Sequence, residues 1–346
     1  MIAALPDCIR SQDELDEVLT RPRPELIAFI RTLPGPLLIL GAGGKMGPTL
    51  VVLAKRAAEA AGHALEVLAA SRFSDDDARR WLETRGVRTL SLDLLDRDAV
   101  ARLPDASQVV YLVGQKFGTT QNPGQTWAVN TLVPAYIAER YQSVPIVALS
   151  TGNVYPLVAA PGPGSVETDA LTPLGEYANA AVARERIFEF FAHAHGTSLV
   201  LLRLNYAVEL RYGVLLDIAR KVHAGEPVDV TMGYFNCIWQ GDANDMILRA
   251  LGLAQNPPIA LNLTGSAVLS VRDLAMQFGE LLGRRPHIVG QEADTALLSN
   301  AAKACTLLGL PPTPVDQVLR WTAEWVKQGG RTLSKPTHFE TRDGKF

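Results

Sequence analysis

Two hydroxyl-bearing residues of this 346-residue chain have the type and setting for acid–base chemistry. Thr151 directly follows the apolar run PIVALS, and Tyr177 opens the helix-like stretch YANAAVARER. A threonine hydroxyl can orient a substrate oxygen, and a tyrosine can exchange a proton with it. Tyrosine acts as a base near neutral pH only when a nearby cation lowers its pKa. Ala181, four residues on and on the same helix face, cannot supply that charge.

Each of these residues also has a structural interpretation. Thr151 would equally close the turn after its strand, and Tyr177 would equally be a half-buried aromatic on a core helix. Lys116, in the segment LVGQKFGTTQN, is a candidate for the missing cation. Ligands of parallel sheets bind outside the carboxyl ends of the strands, and Lys116 follows one such end. The alternative for Lys116 is an ordinary solvated lysine.

The elements that must position these residues are buried strands alternating with helices. Apolar runs with helical stretches between most of them predict a parallel sheet covered on both faces. Right-handed crossovers then favour a Rossmann-like, doubly wound α/β fold, followed by a smaller mixed substrate-side domain. The runs are PLLIL, LEVLAA, VRTLSL, QVVYLV, PIVALS and SLVLLR.

The chain divides into four predicted regions. They are an N-terminal helical extension (1–36), a dinucleotide-binding Rossmann domain (37–204), a smaller substrate-side region (205–330) and a C-terminal tail (331–346). In the extension, Ser11 can cap one helix and Pro24 can start the next.

The tail holds two aromatic residues, Phe339 and Phe346, among charged ones. Large aromatic side chains are rarely left in a free tail. The tail is therefore predicted to pack against the body, over the substrate cleft or a neighbouring subunit.

A glycine pattern indicates a dinucleotide. The segment LLILGAGGKMGPTL places Gly41, Gly44 and Gly47 directly after a strand and at the start of a helix. Backbone N–H groups there can hold a pyrophosphate, and glycines let it approach. The alternative is a tight turn without a ligand.

At the end of the second strand, Ser71 and Arg72 stand where an NAD site has an acid. These two residues favour the 2′-phosphate of NADP, with NAD still possible. Arg72 would otherwise be a solvated loop residue.

With these motifs the sequence resembles the extended short-chain dehydrogenase/reductases, the NAD(P)-dependent epimerase/dehydratase family, from about residue 36 to 329. The resemblance puts Thr151 and Tyr177 at the family's catalytic positions, with Ala181 in place of the lysine that lowers the tyrosine pKa and holds the nicotinamide ribose, so the chain is an atypical member. It also implies that Asn130 is a structural asparagine and that Asn205 lies beside the nicotinamide. The predicted cofactor residues are in all Gly41, Gly44, Lys45, Met46, Gly47, Ser71, Arg72, Asp93, Leu94, Val113, Gly114, Asn130 and Asn205.

A polar and aromatic segment, MGYFNCIWQGD, is the candidate substrate site. Aromatic faces and amides suit a sugar, and an interdomain contact is the alternative. The predicted substrate residues are Asn153, Tyr234, Asn236, Trp239 and Gln240.

Composition narrows the classes of partner. The net charge is −3 and the basic residues are dispersed, which argues against nucleic acid. Cys8, Cys237 and Cys305 lie far apart and predict neither zinc nor disulfides, so the cytoplasm is expected. No apolar run is long enough for a membrane span. We expect no metal, no nucleic acid and no membrane, and a homodimer stays open.

The sequence therefore predicts an atypical NADP(H)-binding oxidoreductase or epimerase/dehydratase-like enzyme for a sugar or another small polyhydroxylated substrate. The alternative is a non-catalytic NADP(H)-binding redox sensor or regulatory protein. Ala181 favours the sensor, whereas Thr151 and Tyr177 favour the enzyme.

Overall fold

A parallel seven-stranded sheet forms the centre of the protein. The computed structural model describes residues 5–74, 76–119, 121–335 and 337–345. The sheet order is β7-β6-β5-β4-β1-β2-β3, and every pairing in it is parallel. The order reverses between β1 and β4, where α/β folds bind their ligands. The strands are β1 Leu37–Leu40, β2 Val67–Ser71, β3 Arg88–Ser91, β4 Gln108–Tyr111, β5 Ile146–Thr151, β6 Leu199–Leu204 and β7 Ile259–Leu263.

Helices cover both faces of the sheet, as the alternating pattern predicts. Side chains of a strand point alternately to opposite faces, so β1 sends Leu37 and Ile39 into one core and Leu38 and Leu40 into the other. The described helices are α1 Gln12–Leu19, α2 Pro24–Ile30, α3 Gly47–Ala60, α4 Asp76–Glu83, α5 Arg97–Ala101, α6 Pro123–Arg140, α7 Gly175–His195, α8 Val214–Ala224, α9 Gln240–Arg249, α10 Val271–Leu282, α11 Ala302–Leu308 and α12 Val315–Lys327. The fold class is therefore the predicted Rossmann-like one.

Strand β7 lies beyond residue 204, the predicted end of the Rossmann domain, yet it belongs to the central sheet. The chain leaves the sheet after β6 and returns as β7, which pairs with β6 along its whole length. The carboxyl ends of the two strands are bonded to each other, because Asn205 N–H donates to the Leu263 carbonyl and Thr264 Oγ1 donates to the Asn205 carbonyl, each at 3.0 Å. Part of the predicted substrate-side region therefore belongs to the Rossmann sheet.

The rest of the C-terminal half is mixed and has its own apolar core, called the second core below. Helices α8, α10 and α12 supply most of that core. Its short strands pair as Ala207–Val208 with Ile238–Trp239, Pro227–Asp229 with His287–Val289, Tyr234–Phe235 with Leu269–Ser270, and Val158–Ala159 with Thr295–Ala296.

The N-terminal extension forms the two predicted short helices. Ser11 caps α1 by accepting a hydrogen bond from Glu14 N–H at 3.1 Å, and Pro24 is the first residue of α2. Leu15 and Leu19 of α1 enter the second core. The extension therefore contributes side chains to the apolar core of the C-terminal half.

The C-terminal tail packs on the body, as predicted from its aromatic content. Phe339 is 1% exposed and contacts Phe235 in the second core. Thr337 donates through its N–H and hydroxyl to Asp217 at 3.0 and 2.6 Å. Phe346 lies outside the described residues. Along the described chain, no helix is long and apolar enough to cross a membrane.

Candidate functional site

One cleft of about 240 Å³ lies at the carboxyl ends of the central strands. The glycine loop, the segments after β4, β5 and β6, the start of α7 and Thr337 of the tail line it. It is called the cleft below. It brings together eleven predicted residues: Gly41, Gly44, Lys45, Met46, Gly47, Gly114, Lys116, Thr151, Asn153, Tyr177 and Asn205.

The glycine loop has the shape of a phosphate cradle. Gly41 has a φ of +82°, and a Cβ there would lie 3.0 Å from the backbone of Leu112. A Cβ on Gly47 would lie 2.4 Å from the Ala42 carbonyl oxygen, so neither position admits a side chain. Helix α3 begins at Gly47 without a side-chain cap, which leaves its first N–H groups for a ligand. These features fit a dinucleotide pyrophosphate, which this loop would hold.

The residues expected around the adenosine flank the loop at β2 and β3. Ser71 ends β2, and its Oγ lies 2.9 Å from where a Cβ on Gly43 would be. Arg72 follows and is exposed. Asp93 is exposed and accepts from Leu95 N–H at 2.9 Å, whereas Leu94 is buried in the core.

Thr151 ends β5 with its side chain at the edge of the cleft. Its Oγ1 accepts from Asn153 N–H at 3.2 Å and from Asn153 Nδ2 at 3.1 Å. The hydroxyl therefore closes the turn Gly152–Val154, as the structural interpretation predicts. Its own proton takes no part in either bond, so the capping role and the role of a donor to a ligand are compatible.

Tyr177 and Ala181 share a helix but have different surroundings. Tyr177, 8% exposed, lines the cleft. Ala181 is fully buried against Val154 and Tyr155. The position four residues after Tyr177 is thus filled by an apolar contact.

Two lysines line the cleft. Lys116 follows β4 and is partly buried, with Nζ 5.9 Å from the centre of the Tyr206 ring, and this burial lowers its pKa to about 8. Lys45 is partly buried in the glycine loop and donates from Nζ to the Ala207 carbonyl at 2.6 Å. Burial lowers its pKa to about 7, and the charge of Lys116 acts in the same direction.

Arg184 is a cleft residue that the sequence reasoning missed. It is 3% exposed and donates to the Leu149 carbonyl at 2.7 Å and to Asn130 Oδ1. Asn130 is fully buried and also donates to the Thr126 carbonyl at 2.8 Å, so its contacts are those of a structural residue. Arg184 lies seven residues after Tyr177, two turns along the same helix face, and this spacing could have revealed it.

The segments after β4 and β6 carry further cleft residues. Gly114 leaves room for Arg184, because a Cβ there would lie 3.0 Å from its Nη2. Val113 packs against Gly41 of the loop. Tyr206 and Tyr212, also missed from sequence, line the cleft after β6. Tyr206 has a φ of 45°, a conformation that is rare for an aromatic residue and concentrates at functional sites.

Burial also affects the acidity of these two tyrosines. It raises the pKa of Tyr212 to about 12 and raises that of Tyr206 further. Neither hydroxyl therefore ionises near neutral pH. The charge in this part of the cleft is set by the lysines.

A buried polar network fixes the helix of Tyr177 to the sheet. Ser150 donates to the fully buried Glu185, which also pairs with Arg203 at 2.8 Å. Arg203 donates to the Tyr155 hydroxyl at 2.7 Å, and that hydroxyl donates to Asn262 Oδ1 at 2.9 Å. The network joins α7 to β5, β6 and β7 beside Thr151.

Four predicted substrate residues do not line the cleft. Gln240 is fully buried and donates to Thr49 at 3.0 Å, and Trp239 packs against Trp321. Asn236 is buried between the Ala267 carbonyl and Ser299 N–H, and Tyr234 pairs with the strand Leu269–Ser270. In the structure these four residues contact other parts of the protein, and their assignment to a substrate site stays a prediction beside the alternative of an interdomain contact.

Metal-ligating side chains are not grouped in the described part of the chain. No three His, Cys, Asp or Glu residues there are placed to hold an ion.

Comparison with known families agrees with the glycine loop and the sheet order. Residues 37–243 match the NAD dependent epimerase/dehydratase family. The chain belongs to this family. It is thereby an NAD(P)-dependent enzyme of the epimerase/dehydratase type, with a nicotinamide dinucleotide as cofactor. A comparison with curated protein sequences finds no match.

Solved structures share the fold at low identity. MoeE5 in complex with UDP-glucose and NAD superposes with a TM-score of 0.68 at 21% identity over 85% of this chain and 99% of that chain. The Bacillus cereus UDP-glucuronic acid 4-epimerase in complex with NAD gives 0.71 at 16%, and the Thermus thermophilus UDP-glucose 4-epimerase in complex with NAD gives 0.68 at 20%, with the same coverage. These likenesses concern the fold.

Proposed function

We propose that the protein is an NADP(H)-preferring oxidoreductase or epimerase/dehydratase-like enzyme that acts on a sugar or another small polyhydroxylated substrate. One observation carries the proposal: the glycine loop, Thr151 and Tyr177 open into the same cleft. A nicotinamide bound in the cleft would supply hydride transfer to or from a substrate carbon. The protein's part is to hold the substrate and to move the proton of its hydroxyl.

Tyr177 is the acid/base in this proposal, and Thr151 orients the substrate oxygen. The Thr151 hydroxyl accepts two bonds from Asn153, which fixes its position and leaves its proton for the substrate. Lys116, which lines the same cleft, supplies the positive charge that Ala181 cannot. A cation near Tyr177 favours the phenolate, the form that takes up a proton.

The preference for NADP(H) is supported by Ser71 and Arg72 at the end of β2. Ser71 adjoins the glycine loop and Arg72 is exposed beside it. A hydroxyl and a guanidinium suit a phosphate, and no acid takes their place to bind a free 2′-hydroxyl. MoeE5 and the Thermus thermophilus UDP-glucose 4-epimerase, which share the fold, are complexed with NAD, so the proposed preference rests on this chain's own Ser71 and Arg72.

A sugar nucleotide is the substrate class with the best support, because proteins of the same fold are complexed with UDP-glucose and UDP-glucuronic acid. The decisive experiment is a titration of dialysed protein with NAD(H) and NADP(H), then a screen of sugar nucleotides for product and for reduced-nicotinamide absorbance. Tyr177→Phe and Thr151→Ala should abolish turnover and keep cofactor binding. Tyr136→Phe, on α6, is the matched control.

A cofactor-binding redox sensor without turnover is the second candidate, and Ala181 favours it. Tight cofactor binding with no product from any sugar nucleotide would support the sensor. Absence of cofactor binding would contradict both functions.

A homodimer through α6 and α7 completes the proposal. Leu132 on α6 and Phe190 on α7 are 46% and 66% exposed on neighbouring helices. Large exposed apolar side chains close together are typical of a protein contact surface. Phe190→Asp should convert a dimer to a monomer in light scattering.

The cysteines of the described chain are unpaired, which fits the cytoplasm as the place of action.

A further inference from the structure

The C-terminal tail runs past the cleft and contacts both halves of the protein. Residues 337–345, called the clasp below, begin at Thr337, which lines the same cleft as the glycine loop and Tyr177. The contacts of the clasp fall into two groups, one with the C-terminal half and one with the Rossmann part. A segment that touches both sides of a cleft can hold them together, so the weaker group of contacts decides where the cleft opens.

The first group of contacts attaches the clasp firmly to the C-terminal half. Thr337 donates through its N–H and its hydroxyl to Asp217 of α8, at 3.0 and 2.6 Å. Two residues later, the Phe339 ring is buried in the second core and contacts Phe235. Because a large ring and a partly buried carboxylate are involved, these contacts are costly to break.

Two polar contacts extend this attachment along the clasp. Glu340 pairs with Lys221 of α8 at 2.5 Å. Arg342 donates to the carbonyl and to the hydroxyl of Thr295, each at 2.6 Å. The clasp therefore stays with the C-terminal half over most of its length.

The second group of contacts, with the Rossmann part, begins at His338. Its ring centre lies 6.0 Å from that of Phe117, in the segment that follows β4, and Phe117 is 38% exposed. His338 has a φ of 53°, which is uncommon for a residue with a side chain and concentrates at functional sites. A contact between two rings at the surface is weaker than the buried contacts of Phe339.

The other contact with the Rossmann part joins two glycines. Gly344 packs with its backbone on Gly175, the first residue of α7, two residues before Tyr177. A Cβ on Gly175 would overlap the Gly344 carbonyl oxygen, and a Cβ on Gly344 would overlap that of Leu174. The end of the clasp therefore reaches the start of the helix of the candidate base, and a single methyl group is enough to displace it.

We propose that the clasp closes the cleft over a bound nicotinamide dinucleotide, and that it opens at His338 and Gly344 when the ligand enters or leaves. The contacts with the C-terminal half hold during this movement. The contacts with the Rossmann part break instead, because a surface ring pair and a backbone contact cost less to separate than a buried ring. This inference goes beyond the proposed function, since it requires a bound dinucleotide and no particular substrate.

Stopped-flow fluorescence of NADPH tests the clasp, because it measures the association and dissociation rate constants separately. The test variants are His338→Gly and Gly344→Ala. Glycine adopts the φ of residue 338 without strain, so the first variant removes only the ring that contacts Phe117. The second variant adds one methyl group where Gly344 meets Leu174.

Both variants are expected to raise the two rate constants at least about fivefold and to change Kd less than about threefold. The reason is that opening becomes easier in the free and in the bound protein alike. Lys345→Ala is the matched control, since it removes an exposed ion pair within the clasp, with Asp343, and should change neither rate.

A rise of the dissociation rate alone, with an equal loss of affinity, would show that the clasp merely contacts the ligand, and would overturn the proposal. Rates equal to those of the wild type would overturn it as well. His338→Gly decides the outcome if Gly344→Ala fails to fold.

The same measurements with NADH separate this inference from the proposed function. If NADH binds and NADPH does not, the NADP preference fails, and the NADH rates decide whether the clasp controls exchange. If neither dinucleotide binds, both the clasp and the proposed function are overturned.

Discussion

Arg203 on β6 and Glu185 on α7 form an ion pair of 2.8 Å in which the two side chains are 5% and 0% exposed. Glu185 also accepts from Ser150, next to Thr151 on β5. The pair therefore links the helix of the candidate base to the strand of the candidate hydroxyl.

Glu185→Ala should lower the free energy of unfolding by about 3–5 kcal/mol, because it leaves the Arg203 guanidinium buried without its partner. Urea denaturation measures this. Glu189→Ala is the matched control on the same helix, since it removes only the surface pair with Arg186 and should change stability by less than about 1 kcal/mol. Similar losses of unfolding free energy in the two variants would mean that the buried pair stabilises the fold no more than the surface pair does.

Lys45→Met should change how stability depends on pH in the cofactor-free protein. The pKa of Lys45 is about 7 when folded and near 10.5 when unfolded, so between these values the unfolded chain binds more protons. The wild-type unfolding free energy therefore rises with pH in this window, at most by about 1.4 kcal/mol per unit from this residue. The variant should lack that rise, and Lys303→Met should keep it. Parallel wild-type and Lys45→Met curves from pH 7 to 10 would refute the assignment.

Arg72→Ala should weaken NADPH about tenfold or more and change NADH less than twofold, because only NADPH has the 2′-phosphate. Fluorescence titration of both cofactors measures this. Arg80→Ala, at another exposed arginine on α4, should affect neither cofactor. Equal losses for the two cofactors would remove the basis for an NADP preference.

Lys116→Met should lower kcat about tenfold or more and shift the rising, low-pH limb of the kcat profile to higher pH, since a cation that favours the deprotonated base is removed. Ala181→Lys in the same chain should restore part of the rate. An unchanged kcat and pH profile would show that Lys116 does not replace the family's lysine, whatever its effect on KM.

Phe339→Ala should destabilise the protein by about 3–5 kcal/mol and expose the tail to limited proteolysis, because the ring fills the second core. Ligand that occupies the cleft should slow the trimming. Leu310→Ala, at a side chain that is 71% exposed, should do neither. A tail that is trimmed equally fast in wild type and variant would contradict the packed arrangement.

The sequence predicts those parts of the fold that local pattern determines. The six apolar runs form strands β1 to β6, Ser11 caps α1 and Pro24 starts α2. These features could be predicted because the burial of a strand and the capping of a helix depend on residues that are close together in the sequence. The place of β7 depends on pairing with a strand far back in the chain, which no local pattern encodes.

Side-chain direction explains what the site reasoning missed. Gln240 is of a residue type that often binds sugars, yet its amide donates a hydrogen bond to the Thr49 hydroxyl. The residue type alone cannot tell whether the amide binds a ligand or a buried hydroxyl of the protein. Lys45 was predicted as a cofactor residue of the glycine loop, and the sequence did not indicate that its ammonium donates to the Ala207 carbonyl. Only the tertiary structure reveals such contacts.

The return of the chain as β7 also constrains motion. The chain leaves the sheet after β6 at Asn205 and again after β7 at Thr264, and these two exits are neighbours that are bonded to each other. A movement of the C-terminal half away from the sheet at this place would have to break that hydrogen bond. Asn205 also lines the cleft, so a ligand bound there would lie at the point where the chain passes from the sheet to the C-terminal half.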